Sequence, residues 1–379
     1  VLLMKARVDA SPQKPSNRDV ANMLRRFGFE LSRCERLHSG YSGENYKVVG
    51  KDGTHAVLKL KPNVSEDNLK GEIRILEYLR KRNFAGACTA IPMDGEDKGS
   101  SKGNEYVTSF KGIPYCVLRY IEGVPAIDLM EIALSLNENT VLRNIGKELA
   151  ALHSVAVTPD AKLRDLSTGG VATAREHLDG IYLEKFDEGS ALGEHTFFKF
   201  YQEELVNLID CLNNDKLPRG IIHGDPFLDN ILLDEKSGNF VAFIDWEDTT
   251  VGPYLFDLAC AIIGTCYSAN KIRVDQERFK ALISGYMQRR CLTKEEKAHL
   301  PRFMQMILLM NCTWRFKHAY IDHPDKKEDR NSHVELQEKI LYLKEEEGMA
   351  FMKTLIENVC AGRDEENVPP CVKIICTVL

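Results

Sequence analysis

Two hydrophobic patterns divide this chain into an N-terminal and a C-terminal part. Near the N-terminus, short apolar runs bounded by turn residues predict strands at residues 29–37, 46–49, 56–60 and 115–121. From about residue 140 onward, apolar residues recur at helical spacing. Helices are predicted there at residues 140–155, 173–187, 194–214, 252–267, 275–290, 293–321 and 332–360. The pattern indicates an α+β chain whose sheet precedes a mostly helical region.

Two further helices are predicted within the sheet-forming part. Asn17 is expected to cap a helix at 18–27, which Gly28 ends. Residues 65–81 carry apolar side chains at helical spacing, with Glu72 free to turn toward the preceding strand.

A polar loop between apolar runs carries the strongest chemical signal. His223, Asp225 and Asn230 follow the H-x-D-x-x-x-x-N order of a kinase catalytic loop, and Asp245 ends the next apolar strand, fifteen residues after Asn230. Phosphoryl transfer needs a carboxylate at the acceptor hydroxyl and oxygen ligands that hold Mg²⁺ on the phosphates. Asp225 would take the hydroxyl proton, and Asn230 and Asp245 would hold the metal. The alternative is a polar hairpin with carboxylates at its ends.

The loop at residues 38–45 is a candidate phosphate-binding loop. It lies between the first two predicted strands, where small residues let backbone N–H groups approach an anion. A plain turn would have the same composition. Its candidate residues are Ser39, Gly40, Ser42 and Gly43.

Four further residues fit nucleotide binding. Residues 57–60 resemble the Val-Ala-Ile-Lys strand, so Lys59 would reach the phosphates and pair with Glu72. The strand at 115–121 would run into a hinge whose backbone, near Tyr120 and Ile121, meets the adenine. The alternative for Lys59 and Glu72 is an unrelated pair of surface charges.

Composition narrows the class of protein. The chain has 379 residues, 44% hydrophobic and 28% charged, which is enough for two packed lobes. A net charge of −6 without a basic cluster argues against nucleic-acid binding. Eleven scattered cysteines without a C-x-x-C pair indicate a reducing, cytoplasmic setting. No apolar run approaches the ~18 residues of a membrane helix, so no transmembrane segment is expected.

The last four residues raise a separate possibility. Cys376-Thr-Val-Leu379 fits the C-a-a-X form of prenylated proteins. One lipid chain anchors weakly and no strong polybasic stretch precedes it, so we interpret the match as chance.

With these motifs assembled, residues 29–350 resemble the aminoglycoside phosphotransferase and choline kinase superfamily. The resemblance adds Leu149-Ala-Ala-Leu-His153, Phe243-Ile-Asp-Trp246 and Phe256-Asp-Leu-Ala259 to the residues above. It implies a bilobal protein-kinase-like fold, ATP and Mg²⁺ as cofactors, and transfer of the γ-phosphate to a hydroxyl of a small metabolite. The expected division is a lead-in at 1–16, a nucleotide-binding lobe at 17–122, a helical catalytic lobe at 123–360 and a disordered tail at 361–379.

Within the superfamily, the chain looks most like homoserine kinase type II. That likeness depends on Asp225-Pro-Phe-Leu-Asp-Asn230 and on the order of C-terminal segments. Homoserine or a similar amino alcohol is the expected acceptor. Choline, ethanolamine, hydroxylysine and aminoglycosides remain alternatives, as does an inactive kinase-fold binding protein. A protein kinase is disfavoured because Gly224 replaces the arginine of H-R-D and only eleven residues separate Asp245 from Asp257.

If the acceptor carries an ammonium and a carboxylate, its binding site should offer an acidic and a basic side chain. Asp229, and either Glu247 or Asp248, could bind the ammonium, and Arg315 could bind the carboxylate with two hydrogen bonds. Each has the alternative of a solvated charge. Asp257 is expected to brace the catalytic loop, and His153 to be a packed core residue. The sequence does not indicate whether the chain forms oligomers.

Overall fold

The computed structural model describes residues 14–37, 43–62, 64–94, 105–132, 138–158, 196–208, 214, 216–268, 271–322 and 330–361. Several predictions lie outside these residues: Ser39, Gly40 and Ser42, most of the lead-in, the helix at 173–187, and the tail with Cys376.

The N-terminal lobe is an antiparallel sheet with a helix on either side. Its five strands follow the order β1-β2-β3-β5-β4. The elements are α1 (Asn17–Arg25), β1 (Leu31–Leu37), β2 (Glu44–Gly50), β3 (His55–Leu60), α2 (Glu66–Lys81), β4 (Val107–Phe110) and β5 (Ile113–Arg119). The helix α1 packs on the sheet through Val20, Met23 and Leu24. The predicted strands are confirmed with small shifts of their ends.

The N-cap of α1 was predicted one residue too late. Ser16, not Asn17, is the cap: its hydroxyl accepts from the backbone N–H of Asp19 at 3.2 Å, and the Asp19 carboxylate accepts from the Ser16 N–H at 3.0 Å. This reciprocal capping box satisfies two backbone donors at once, which a cap at Asn17 would not do.

The C-terminal lobe is mostly helical, with short strands that carry the polar loops. One small sheet pairs β10 with β7, and another pairs the central strand β8 with β6 on one side and β9 on the other. The elements are β6 (Val124–Pro125), α3 (Ala126–Ile132), α4 (Glu138–His153), α5 (Thr196–Leu208), β7 (Arg219–Ile222), β8 (Ile231–Leu233), β9 (Phe240–Phe243), β10 (Thr250–Pro253), α6 (Tyr254–Thr265), α7 (Gln276–Tyr286), α8 (Lys294–Lys317), α9 (Val334–Lys344) and α10 (Glu346–Cys360).

Two predictions for this lobe were wrong in detail. The predicted helix at 332–360 is two helices, because Glu345 adopts an extended conformation (φ −68°, ψ 151°) between α9 and α10. The segment Thr250–Pro253, partly assigned to a helix, pairs instead with β7 as strand β10.

The hydrophobic core continues from the C-terminal lobe into α2. Leu69, Ile73 and Leu76 of α2 belong to the same buried cluster as the central helices α6 and α8. The sheet has a second, smaller core beneath α1. Because α2 joins the larger core, Glu72 on this helix is held at the junction of the two lobes.

Each cysteine in the described residues is a free thiol. No helix within those residues is both long and apolar enough to span a bilayer.

Candidate active site

The polar loop after β7 brings Asp225 and Asn230 into direct contact. The Asn230 side-chain amide donates to Asp225 Oδ2 at 2.9 Å and to the Asp225 carbonyl at 3.0 Å. Asn230 ends a short 3₁₀ turn (Leu228–Asn230) and continues directly into β8. With Nδ2 committed to Asp225, the amide oxygen of Asn230 remains as an acceptor.

Asp257 at the start of α6 holds the other end of this loop. Its carboxylate accepts from the backbone N–H of His223 at 2.7 Å and from that of Gly224 at 2.9 Å. The predicted bracing role of Asp257 is thereby confirmed. Gly224 has φ +86°, and a Cβ there would lie 2.2 Å from the Asp248 carbonyl oxygen. Glycine is therefore required at this position, both for its backbone angle and for the close approach of the next loop.

His223 is buried, and its ring is held in the neutral form. Its Nε2 contacts the Ile244 carbonyl at 3.0 Å, and its Nδ1 accepts from the Asp225 N–H at 3.2 Å. A carbonyl can only accept, so Nε2 carries the proton and Nδ1 is bare. Burial lowers the pKa of His223 to about 4, which keeps the ring in this neutral form. The ring thus ties the loop of Asp225 to the strand that leads to Asp245.

His153 lies in the core as predicted, but it also extends the hydrogen-bond network away from the loop. Its Nε2 is 3.1 Å from Asp257 Oδ2, and its Nδ1 is 2.7 Å from the Tyr286 hydroxyl. Arg290 donates to the same hydroxyl at 3.2 Å and pairs with Glu296 at 2.8 Å. Sequence reasoning assigned no role in this network to Tyr286 or Arg290, because the contact that joins them to the loop, between His153 and Tyr286, spans 133 positions of the chain.

Lys59 of β3 crosses the gap between the lobes. Its ammonium lies 2.7 Å from Glu72 Oε1 and 3.0 Å from Asp245 Oδ1. Lys59 and Glu72 are 4% and 3% exposed, so the predicted pair is an internal one. Burial opposes the charge of Lys59, but the Asp245 and Glu72 carboxylates outweigh it and raise its pKa above the ordinary value.

A second lysine, Lys61, enters the same site. Its ammonium contacts the Glu247 carboxylate and lies 3.7 Å from Asp245 Oδ1. Sequence reasoning assigned no role to Lys61 and placed Glu247 at the acceptor. The alternation of side chains along β3 was the available signal, because residues two apart leave a strand on the same face.

Asp245 has a left-handed backbone conformation with φ 58°. Aspartate tolerates this region better than most residues, at a cost of about 1–2 kcal/mol. The 3₁₀ turn Trp246–Asp248 follows immediately, with Trp246 buried. The conformation places Asp245 at a sharp corner between β9 and that turn, directly facing β3.

The remaining predicted nucleotide residues lie around β3 and β5. A Cβ on Gly43 would lie 2.5 Å from the Leu60 carbonyl oxygen and 3.0 Å from Lys61 Cδ, so the end of the predicted phosphate loop presses on β3. The Tyr120 N–H donates to His55 O at 3.4 Å, and Lys47 lies 3.8 Å above its ring. Ile121 is half-buried against the main core, at the junction between the lobes.

The predicted acceptor residues are spread more widely. Asp229 is exposed, within the 3₁₀ turn between Asp225 and Asn230. Arg315, near the C-terminal end of α8, donates to the Ser332 carbonyl at 2.9 Å and lies 3.6 Å from Glu335. Asp229 thus lies within the polar loop after β7, whereas these contacts join Arg315 to α9.

The donor set suits a hard divalent cation held jointly with phosphates. Asn230 and Asp245 offer an amide oxygen and a carboxylate, the ligand types that Mg²⁺ prefers. The described residues contain no group of three or more His, Cys, Asp or Glu that could hold a metal alone. Mg²⁺ typically uses one or two protein carboxylates and completes its shell with water and phosphate oxygens.

Comparisons with known proteins find phosphotransferases and kinases. The family described as "Phosphotransferase enzyme family" matches residues 33–293, more than half of the chain. A homoserine kinase of Phenylobacterium zucineum is 26% identical over 269 residues, which cover 70% of this chain and 73% of the relative. A homoserine kinase of Methylobacillus glycogenes is 36% identical over 282 residues, which cover 73% and 77%.

A solved structure shares the fold. The amicoumacin kinase hAmiN, in complex with AMP-PNP, Ca²⁺ and Ami, superimposes with a TM-score of 0.64 at 13% identity. The match covers 86% of this chain and 93% of that one. The predicted kinase-like, two-lobed architecture is confirmed by this likeness.

Proposed function

The chain belongs to the phosphotransferase enzyme family, and from that premise we propose that it is an ATP-dependent kinase acting on a hydroxyl of homoserine or a similar amino alcohol. The observation that carries the proposal is the convergence of Asp225, Asn230 and Asp245 beside the buried Lys59–Glu72 pair. Two relatives named homoserine kinase support this acceptor class.

Asp225 is the proposed proton acceptor for the attacking hydroxyl. Its carboxylate is half-buried and held by the Asn230 amide, while its backbone N–H is fixed by His223. A carboxylate so held can orient a hydroxyl before reaction and take up its proton as the bond to phosphorus forms. Asp257 acts through the backbone and is a positioning residue.

Lys59, Asn230 and Asp245 are the proposed ligands of the nucleotide and its metal. Mg²⁺, when bound, neutralises charge on the phosphates that would otherwise repel the nucleophile. Lys59 supplies a fixed positive charge, oriented by Glu72, for the phosphate oxygens. Gly43, together with Ser39, Gly40 and Ser42 outside the described residues, is proposed to line the phosphates, and Tyr120 and Ile121 the base.

Asp229 and Arg315 are the proposed recognition groups for the acceptor. Asp229 is exposed next to Asp225, where a carboxylate would attract the ammonium of an amino alcohol. For Arg315 to bind a carboxylate, the substrate must share or replace its contacts with Ser332 and Glu335. Glu247, the other predicted ammonium ligand, already contacts Lys61.

The experiment that tests this function is ADP release from Mg·ATP with a panel of acceptors. The panel comprises homoserine, choline, ethanolamine, hydroxylysine and an aminoglycoside, with Asp225→Asn as the blank. We expect turnover with homoserine or another amino alcohol, lost in the variant. Turnover with the aminoglycoside alone would contradict the amino-alcohol assignment. If Mg·ATP binds but no acceptor leads to ADP release, the result would support an inactive binding protein instead.

A further inference from the structure

Lys61 is a buried charge that the proposed mechanism does not use. It is 1% exposed, and its ammonium contacts Glu247 while lying 3.7 Å from Asp245 Oδ1. A lysine this deep in a protein is rare unless it is paired. Both of these carboxylates belong to the other lobe, so Lys61 joins β3 to the loop that carries Asp245.

Asp245 consequently faces two ammonium groups. Lys59 lies 3.0 Å and Lys61 3.7 Å from the same oxygen, Oδ1. A metal ion that binds this carboxylate must tolerate both positive charges. Within a partly buried site, a unit charge a few ångströms away changes the affinity for an ion by an order of magnitude or more, roughly as Coulomb's law predicts.

Glu247 offsets one of these charges. The Glu247 carboxylate is nearer to the Lys61 ammonium than Asp245 is, and its side chain is 17% exposed. The cluster then contains the carboxylates of Glu72, Asp245 and Glu247 against the ammonium groups of Lys59 and Lys61. Without Glu247, the positive and negative charges of this group would be equal, and the site would attract a divalent cation less strongly.

The stem of Lys61 has little room to move elsewhere. A Cβ on Gly43 would lie 3.0 Å from Lys61 Cδ, so the backbone of Gly43 covers the stem on one side. The Lys61 N–H donates to the Pro114 carbonyl at 3.0 Å, which fixes the backbone on the other. An ammonium released from Glu247 would therefore turn toward Asp245, which it already approaches.

We propose that Glu247 is a positioning residue that holds Lys61 away from Asp245 and so keeps the Asp245 carboxylate available to Mg²⁺. This inference depends on the proposed function, because it assigns Asp245 to the metal. It replaces the sequence-based expectation that Glu247 binds the ammonium of the acceptor. Glu247 acts through Lys61 and touches neither substrate nor metal.

The test is a set of variants analysed by calorimetric binding of the non-hydrolysable analogue AMP-PNP. Glu247→Gln, Lys61→Met and the double variant are titrated with AMP-PNP at increasing Mg²⁺, and again in EDTA. We expect Glu247→Gln to raise the Mg²⁺ concentration for half-maximal binding about tenfold, the effect of about 1.4 kcal/mol. Lys61→Met should need no more Mg²⁺ than the wild type, and the double variant should return to within about threefold of it, because the competing ammonium is gone.

Controls separate this effect from misfolding and from acceptor binding. Glu30→Gln removes the carboxylate of the exposed Lys51–Glu30 pair in the N-terminal lobe and should leave the Mg²⁺ dependence unchanged. Thermal unfolding without nucleotide shows whether each variant is folded. If Glu247→Gln does not fold, a raised Mg²⁺ requirement in Lys61→Met would still contradict competition between Lys61 and the metal.

Three results would overturn the inference. The first is an unchanged Mg²⁺ dependence in Glu247→Gln, above all if the KM of the acceptor rises instead. The second is a double variant as impaired as Glu247→Gln, and the third is a raised Mg²⁺ requirement in Lys61→Met. Failure of the wild-type protein to bind Mg·AMP-PNP would instead contradict the proposed function itself.

Discussion

Asn230 donates its side-chain amide to the Asp225 carboxylate, with 2.9 Å between Nδ2 and Oδ2. This contact couples the proposed base to a proposed metal ligand, because it fixes the carboxylate and directs the amide oxygen of Asn230 away from it. This hydrogen bond therefore links the two proposed roles within one loop, which Asp257 holds from the opposite side.

Loss of the Lys59 charge should destabilise the protein as well as inactivate it. Lys59→Met leaves the Glu72 carboxylate, 3% exposed, without this partner, and breaking a buried pair costs about 3–5 kcal/mol. Chemical denaturation should show this loss of unfolding free energy. The double variant, with Lys59→Met and Glu72→Met together, should recover most of it. Lys51→Met, in an exposed pair, is the control and should cost less than about 1 kcal/mol. Equal losses for both single variants would refute the buried-pair account.

Gly224→Ala should disrupt the catalytic loop far more than a glycine replacement with the same backbone angle elsewhere. At Gly224 the added Cβ lies 2.2 Å from the Asp248 carbonyl oxygen, whereas at Gly53 (φ +83°) nothing lies within 4 Å. Gly53→Ala should cost about 1–2 kcal/mol from the backbone angle alone. Gly224→Ala should cost more and abolish turnover, as measured by denaturation and ADP release. A similar cost at both positions would show that the close approach is unimportant.

The buried histidines predict a pH dependence of stability. In the unfolded chain His223 titrates near its ordinary pKa of 6.5, whereas burial lowers the pKa in the folded chain to about 4. Below pH 6.5 His223 binds a proton in the unfolded state but stays neutral in the folded state. The free energy of unfolding should therefore fall as the pH is lowered from 6.5 to 4. The contribution of His223 is at most about 3 kcal/mol and is fully present above pH 6.5.

His223→Gln should flatten this slope. Burial lowers the pKa of His153 as well, so a smaller slope of the same sign should remain. Urea unfolding across the pH range measures both. A slope in the variant as steep as in the wild type would contradict the neutral state assigned to His223.

The site residues that lie in short sequence motifs were predictable from sequence. The contacts between residues far apart in the chain were not. Asp225, Asn230 and Asp245 stand at fixed distances from apolar strands, so the pattern alone locates them. The Lys61–Glu247 contact joins residues 186 positions apart, and neither residue has a motif of its own. The break at Glu345 was missed because its helical periodicity continues on both sides, and α9 and α10 separate only through tertiary packing.

Arg315→Met tests the proposed acceptor ligand. If Arg315 binds a carboxylate of the substrate, the KM for that acceptor should rise about tenfold or more while the KM for ATP stays constant. Arg302→Met, on the same helix α8, is the matched control and should change neither constant. An unchanged acceptor KM in Arg315→Met would leave Arg315 as a structural partner of Ser332 and Glu335.

Asp225 is proposed to accept the hydroxyl proton during phosphate transfer, and the rate at which the phosphorylated product forms tests this role. Phosphorus NMR of reactions with Mg·ATP and the best acceptor should show a phosphate monoester forming with the wild-type protein. Asp225→Asn should slow this reaction by about 10²–10⁴-fold and still bind Mg·AMP-PNP with similar affinity, because the loop and metal ligands are intact. A phosphate monoester formed at the wild-type rate by Asp225→Asn would contradict the assignment.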